Sequence, residues 1–205
     1  FIIGSNPTEA HPIIGLEMKK ARRRGAKMIV CDPRRTWVAE HADIHIQHKP
    51  GTDNMLINAL LRHILDEGLH DPEFIASRCE NFEAFRANLD GFSIEEAAEV
   101  CDVDADLLRR AAEMYAQGAP SGIYYTLGIT EHTSGTENVM NLANLAMLTG
   151  QIGKPSSGVN PLRGQNNVQG GCDMGAMHMA FPGYQKVVDE DVRLKFTEAW
   201  QVEMP

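Results

Sequence analysis

The chain has 205 residues, 43% hydrophobic and 23% charged, which is enough apolar material for a buried core. Its formal net charge of -9 excludes a surface built for nucleic acid or anionic lipid, because both need a basic stripe to displace counterions. The four cysteines, Cys31, Cys79, Cys101 and Cys172, form no C-x-x-C pair, so no zinc knuckle or iron–sulfur motif is encoded, and no apolar run approaches the ~20 residues that span a bilayer.

Phe1-Ile2-Ile3-Gly4 reads as a strand entered midway, so the chain is expected to be a piece of a longer protein. After the Gly4-Ser5-Asn6-Pro7-Thr8 loop, the helical spacing of Ile13, Leu16 and Ala21 predicts a helix over Pro12–Arg24. The cluster Lys19-Lys20-Ala21-Arg22-Arg23-Arg24 falls at its end, where cations complement the helix dipole. Gly25 closes that helix, and Ala26–Val30 predicts a second strand ending in Cys31-Asp32-Pro33-Arg34. A third strand is predicted over Ala42–Gln47, then the turn Lys49-Pro50-Gly51-Thr52-Asp53 and a helix over Asn54–Glu67. From Asp71 to Gln117 the pattern is helical throughout, with Asp71-Pro72 as N-cap and N1 and Ser93-Ile94-Glu95-Glu96 at capping-box spacing. Gly122–Leu127 predicts a fourth strand ending in Gly128-Ile129-Thr130, and Ser134-Gly135-Thr136-Glu137 a capped helix running to Thr149.

Strands alternating with helices at this spacing predict an α/β fold, an open and mostly parallel sheet flanked by helices in a three-layer, Rossmann-like arrangement. The helical block is an insertion, and Gly150–Tyr184 is loop-rich. Residues 1–165 are expected to form a dinucleotide-type binding domain, and 166–205 the start of an adjoining, incomplete one. Within the loop-rich part, Asn160-Pro161-Leu162-Arg163-Gly164-Gln165-Asn166-Asn167-Val168-Gln169-Gly170 gathers one cation and five side-chain amides with little to bury, and reads as a site loop.

Ligands of an open parallel sheet sit beyond the carboxyl ends of its strands. Four such ends follow from the strands above: Ser5–Thr8, Cys31–Arg34, Pro50–Asp53 and Leu127–Thr130. Asp32 is placed for ribose hydroxyls and Arg34 for a phosphate. No G-x-G-x-x-G follows the first strand, so a nicotinamide dinucleotide is a poor fit. The histidines His41, His45 and His48 are not read as a metal site, because Asp43-Ile44-His45-Ile46 alternates like a strand and points His45 away from its neighbours. Met174, Met177 and Met179 read as packing residues.

The runs Gly4–Pro12, Val30–Arg34, Lys49–Asp53, Leu145–Gly150 and above all Gly158–Gly170 resemble the catalytic subunits of molybdenum- or tungsten-dependent formate dehydrogenases, within the molybdopterin oxidoreductase family. The resemblance covers nearly the whole chain, and Arg163-Gly164-Gln165-Asn166-Asn167 is what favours formate dehydrogenase over nitrate-reducing relatives. It implies a bis(molybdopterin guanine dinucleotide) cofactor carrying molybdenum or tungsten, with Asn6, Cys31, Asp32, Arg34, Gly51 and Asp53 as contacts and Gly128 allowing close backbone approach. Asp32 would take ribose and Asp53 the guanine edge, or the two roles would be exchanged. Arg163 would hold formate beside Gln165 as the catalytic pair. No residue of the chain is implied as a metal ligand. The metal-ligating cysteine or selenocysteine and a [4Fe-4S] cluster would lie upstream, so the fragment alone is expected to be inactive, with iron–sulfur electron-transfer subunits and the remaining domains of its own subunit as partners. Neither nucleic acid nor direct membrane insertion is expected. The expected location is the cytoplasm, with the periplasm as the alternative. Two other readings stay open: a family relative with another substrate or a lost activity, and a stand-alone nucleotide-binding module.

Overall fold

A computed structural model describes residues 1–204. The chain divides into two compact units, Phe1–Leu162 and a second beginning at Arg163. The first is built on five strands, β1 (Ile2–Ile3), β2 (Ile29–Cys31), β3 (Ile44–Ile46), β4 (Gly122–Tyr125) and β5 (Gly158–Pro161). All pairings are parallel, in the order β3-β2-β1-β4-β5. The α/β sheet expected from the sequence is therefore present. Strand order reverses at β1, whose Ile2 lies between Val30 and Tyr124 and whose Ile3 lies between Cys31 and Tyr125.

The strands are apolar on both faces because both faces are covered. With side chains alternating along each strand, Ile3, Ile29, Cys31, Ile44, Ile46 and Ile123 point to one side. There they pack with Leu56, Leu60 and Leu61 of helix Asp53–Asp66, Leu108 of helix Ala105–Gln117, and Leu142 and Leu145 of helix Gly135–Leu148. Ile2 and Val30 point to the other side and meet Met18 of helix Pro12–Arg23 and Val38 of helix Trp37–Glu40. Each fully buried isoleucine or leucine contributes on the order of 1.5–3 kcal/mol.

Several boundaries follow from local chemistry. The Asp71 and Ser93 side chains accept from the backbone amides of Phe74 and Glu96, so both predicted caps form. Ser134 occupies its N-cap without a side-chain hydrogen bond. Leu127–Thr130 is a short helix rather than the tip of β4. The polar run starting at Asn160 is no plain loop, since Gly158–Pro161 forms the edge strand β5 and Val168–Asp173 a short helix. The Asn160 amide donates to the Ile123 and Gly158 carbonyls, which uses inside the sheet a group that composition alone marks as a loop donor.

The second unit holds an antiparallel pair, Ala180–Phe181 with Gln185–Lys186, and the helix Glu190–Trp200. Phe181, Phe196 and Trp200 form its aromatic cluster, with ring centroids 4.5 to 5.8 Å apart. Met174 and Met179, expected to pack, are 74% and 53% exposed. Among the described residues no helix is long and apolar enough to cross a membrane.

One close approach holds the two halves of the sheet together at the reversal point. The Gly4 carbonyl accepts from the Gly128 amide at 3.1 Å and from Thr126 Oγ1 at 2.7 Å. A Cβ on Gly128 would sit 2.6 Å from the Gly4 oxygen, and one on Gly4, whose φ is +54°, 2.6 Å from the Gly128 carbonyl carbon. Gly128→Ala should therefore cost about 1–3 kcal/mol through overpacking. Gly91→Ala, with open space around it and no positive φ, should change stability by less than about 1 kcal/mol. Urea unfolding midpoints of the two variants check this, and equal midpoints would remove the contact as a constraint.

Candidate functional site

Four strand ends open onto one cleft of about 460 Å³. Gly4 and Asn6 come from the end of β1, Asp32 to Arg34 from β2, His48, Pro50 and Asp53 from the segment after β3, and Thr126, Gly128 and His132 from the segment after β4. This is where an open parallel sheet receives a ligand. A second cavity, about 420 Å³, opens at the opposite, amino-terminal ends of the central strands between Phe1, Met28 and Tyr124. It lacks the carboxylate–imidazole grouping described next, so the chemistry favours the first.

Asp32 is 3% exposed. Its Oδ1 accepts from the Arg34 amide at 2.8 Å, a turn typical of an aspartate before proline, and the exposed Arg34 guanidinium lies 3.7 Å from the same oxygen. The Asp32 backbone is fixed from both sides: its amide donates to the Ile46 carbonyl, and its carbonyl faces His45 Nε2 at 2.9 Å. A carbonyl only accepts, so His45 carries a proton on Nε2.

Asp53, also 3% exposed, is the first residue of helix Asp53–Asp66. Its Oδ1 lies 2.9 Å from Nε2 of the buried His48, and its Oδ2 lies 3.8 Å from Nε2 of His132. His132 Nε2 is in turn 2.9 Å from the Gly128 carbonyl. The segment carrying Gly128 and His132 is held from beneath by Asn138, fully buried, whose Nδ2 donates to the Ile129 carbonyl at 3.0 Å. The cleft thus joins two buried carboxylates with two exposed charged groups, the Arg34 guanidinium and the Glu9 carboxylate. Such a set suits a ligand that offers hydroxyl or N–H donors at depth and negative charge at the mouth.

Of the cofactor contacts expected from the sequence, Asn6, Asp32, Arg34, Asp53 and Gly128 line this cleft. Cys31 does not: its thiol lies in the core on the helix-covered face of β2, fully buried, and burial pushes its pKa well above the ordinary thiol range. Strand alternation decides this, because Ile29 and Cys31 share a face and Asp32 is the first residue past the strand end. Gly51 is also off the wall, at an exposed turn with φ +84° and open space around it. His48, Thr126 and His132 were missed by sequence reading. The available signal for His48 was its position five residues before Asp53 across the Pro50-Gly51 turn. Arg163 and Gln165 are exposed residues at the start of the second unit. There Tyr184 Oη donates to Asp173 at 2.7 Å, which raises the phenol's pKa, while the Arg163 charge acts in the opposite direction.

The buried Cys31 thiol should resist iodoacetamide in the native protein at pH 8 and react only after unfolding, because the thiolate is the nucleophile and neither it nor the reagent is accommodated in the core. Mass spectrometry of the labelled peptides checks this, and native labelling of Cys31 as fast as that of Cys172 would contradict the placement.

Comparison with known proteins agrees with this geometry. The family model described as molybdopterin oxidoreductase matches residues 1–200. Formate dehydrogenase H of Escherichia coli (strain K12) is 48% identical over 99% of this chain and 28% of its own length. The F420-dependent formate dehydrogenase subunit alpha of Methanocaldococcus jannaschii is 48% identical over 100% of this chain and 30% of its own. The chain therefore spans about three-tenths of these relatives. Among solved structures, acetylene hydratase from Pelobacter acetylenicus superposes with a TM-score of 0.72 at 30% identity, over 76% of this chain and 22% of that one. With a sheet of this order, a cleft at its reversal point and a family match over residues 1–200, the chain belongs to the molybdopterin oxidoreductase family.

Proposed function

We propose that this chain is the part of a formate dehydrogenase catalytic subunit that binds one guanine dinucleotide arm of a bis(molybdopterin guanine dinucleotide) cofactor. The observation that carries the reading is the 46–48% identity to formate dehydrogenase subunits over 98–100% of the chain. The cleft's donor set supports it. Asp32 keeps a buried carboxylate at the end of β2, suited to ribose hydroxyls, and the exposed Arg34 offers a guanidinium for a phosphate. Asp53 offers an acceptor to the N–H groups of a guanine edge. The absence of side chains at Gly4 and Gly128 lets the two backbones meet and form the floor of the cleft.

When bound, the cofactor supplies the two-electron redox chemistry that takes formate to carbon dioxide. Arg163 would hold the formate carboxylate through its guanidinium fork, charged at every working pH, with Gln165 beside it. Orientation and charge stabilisation are this chain's share of catalysis, and the electrons would leave through an iron–sulfur cluster to partner subunits. A second reading, a family member with another substrate, is favoured by the likeness to a protein named as a hydratase.

The full-length protein carrying this chain should release GMP on acid hydrolysis of its cofactor and reduce a viologen dye with formate. Arg163→Ala should lower kcat/KM for formate by about 10²–10³-fold, the scale for losing a charge-stabilising donor. A metal-loaded protein that releases GMP but is indifferent to formate would move the assignment to the second reading.

A further inference from the structure

We infer that His48 is the positioning residue for Asp53, fixing which carboxylate oxygen the cleft presents to a guanine-type base. The inference rests on the nucleotide reading above and adds to it a residue that sequence reasoning did not select.

Asp53 stands at the first position of its helix, and the preceding residue, Thr52, makes no side-chain cap there. Its carboxylate is therefore oriented by side chains. The near partner is His48 at 2.9 Å, and both side chains are almost fully buried, at 2% and 4% exposure. An ionised carboxylate only accepts, so His48 Nε2 carries the proton and donates to Oδ1. His48 is set in place by the chain leaving β3, with its Nδ1 3.5 Å from the Ile46 carbonyl. The far partner, His132, directs its Nε2 to the Gly128 carbonyl at 2.9 Å and stands 3.8 Å from Oδ2, beyond hydrogen-bonding distance. Oδ1 is thus engaged by an imidazole from behind, and Oδ2 remains the oxygen better placed to receive a ligand N–H. Without the His48 bond, the carboxylate is free to rotate about its Cβ–Cγ bond or to turn toward His132, and a base loses a fixed acceptor.

Guanine and hypoxanthine differ by the exocyclic amino group, which a fixed acceptor registers and a loosely held one does not. The test is calorimetric titration of GDP, IDP and ADP into the cofactor-free, full-length protein. The wild type is expected to bind GDP more tightly than IDP or ADP. His48→Asn, whose shorter amide cannot reach Oδ1, should weaken GDP about tenfold while leaving IDP within about twofold, and His48→Gln should restore part of the preference. Thermal melting identifies the folded variants. If His48→Asn does not fold, the comparison passes to His48→Gln, whose preference should then lie below the wild type's and above that of Asp53→Asn.

A wild type that prefers GDP, with folded His48 variants that keep the full preference, overturns the role of His48 and leaves the nucleotide reading standing. Equal loss of GDP and IDP affinity also overturns it, since that is what a merely structural histidine would give. A wild type that does not distinguish GDP from IDP and ADP overturns the base reading and this inference together.

Discussion

The constraint on which the first unit depends is the contact of two backbones at Gly4 and Gly128. One carbonyl, that of Gly4, receives both the Gly128 amide and the Thr126 hydroxyl, and so ties the end of β1 to the end of β4 where strand order reverses. At a reversal point the following chain segments diverge, and a cleft results from topology alone. What topology does not set is how closely the two ends meet. A Cβ on either glycine would lie under 3 Å from the other's backbone, so both positions must be bare for the turns to interlock. The floor of the cleft is then main chain, and its walls are side chains carried by the turns after β2 and β3.

Those walls have a charge pattern unlike that of a simple anion site. The carboxylates of Asp32 and Asp53 are almost fully buried, while the guanidinium of Arg34 is 69% exposed. Burying a carboxylate is tolerated only where donors meet it, and here they do: the Arg34 amide for Asp32 and the His48 ring for Asp53. Each bond occupies one oxygen and leaves the remaining acceptor capacity on a cleft wall. A ligand with hydroxyls and ring N–H groups at depth and phosphates outward complements this pattern, and a bare anion does not.

Much of the first unit was legible in the sequence because short-range rules govern it. The continuous apolar run at Ile29–Cys31 and the alternation at Ile44-His45-Ile46 reveal strands, and Asp71 and Ser93 cap helices as their spacing predicts. Ser134 has the same signature but makes no such bond, because its ψ of 17° departs from the extended backbone that Asp71 and Ser93 share. The edge strand β5 was hidden by composition: Gly158, Asn160 and Pro161 are poor strand residues, and only pairing with Ile123 to Tyr125 makes them a strand. Cys31 shows the complementary lesson for the site. The family resemblance names it as a contact together with Asp32, while the pleat sends the two side chains to different surroundings. His48, set aside in the sequence as a metal ligand, takes its value from a partner five residues away across a turn.

The likeness to acetylene hydratase limits what the sheet itself can explain. Proteins named for acting on acetylene and on formate share this framework, so neither strand order nor the reversal-point cleft selects a reaction. Selection must come from residues the framework carries but does not determine. Under the proposed function those residues are Arg163 and Gln165, which follow the last strand of the parallel sheet, are exposed, and begin a separate compact unit. In that unit the Arg163 charge acts on Tyr184, whose hydroxyl is engaged with the Asp173 carboxylate.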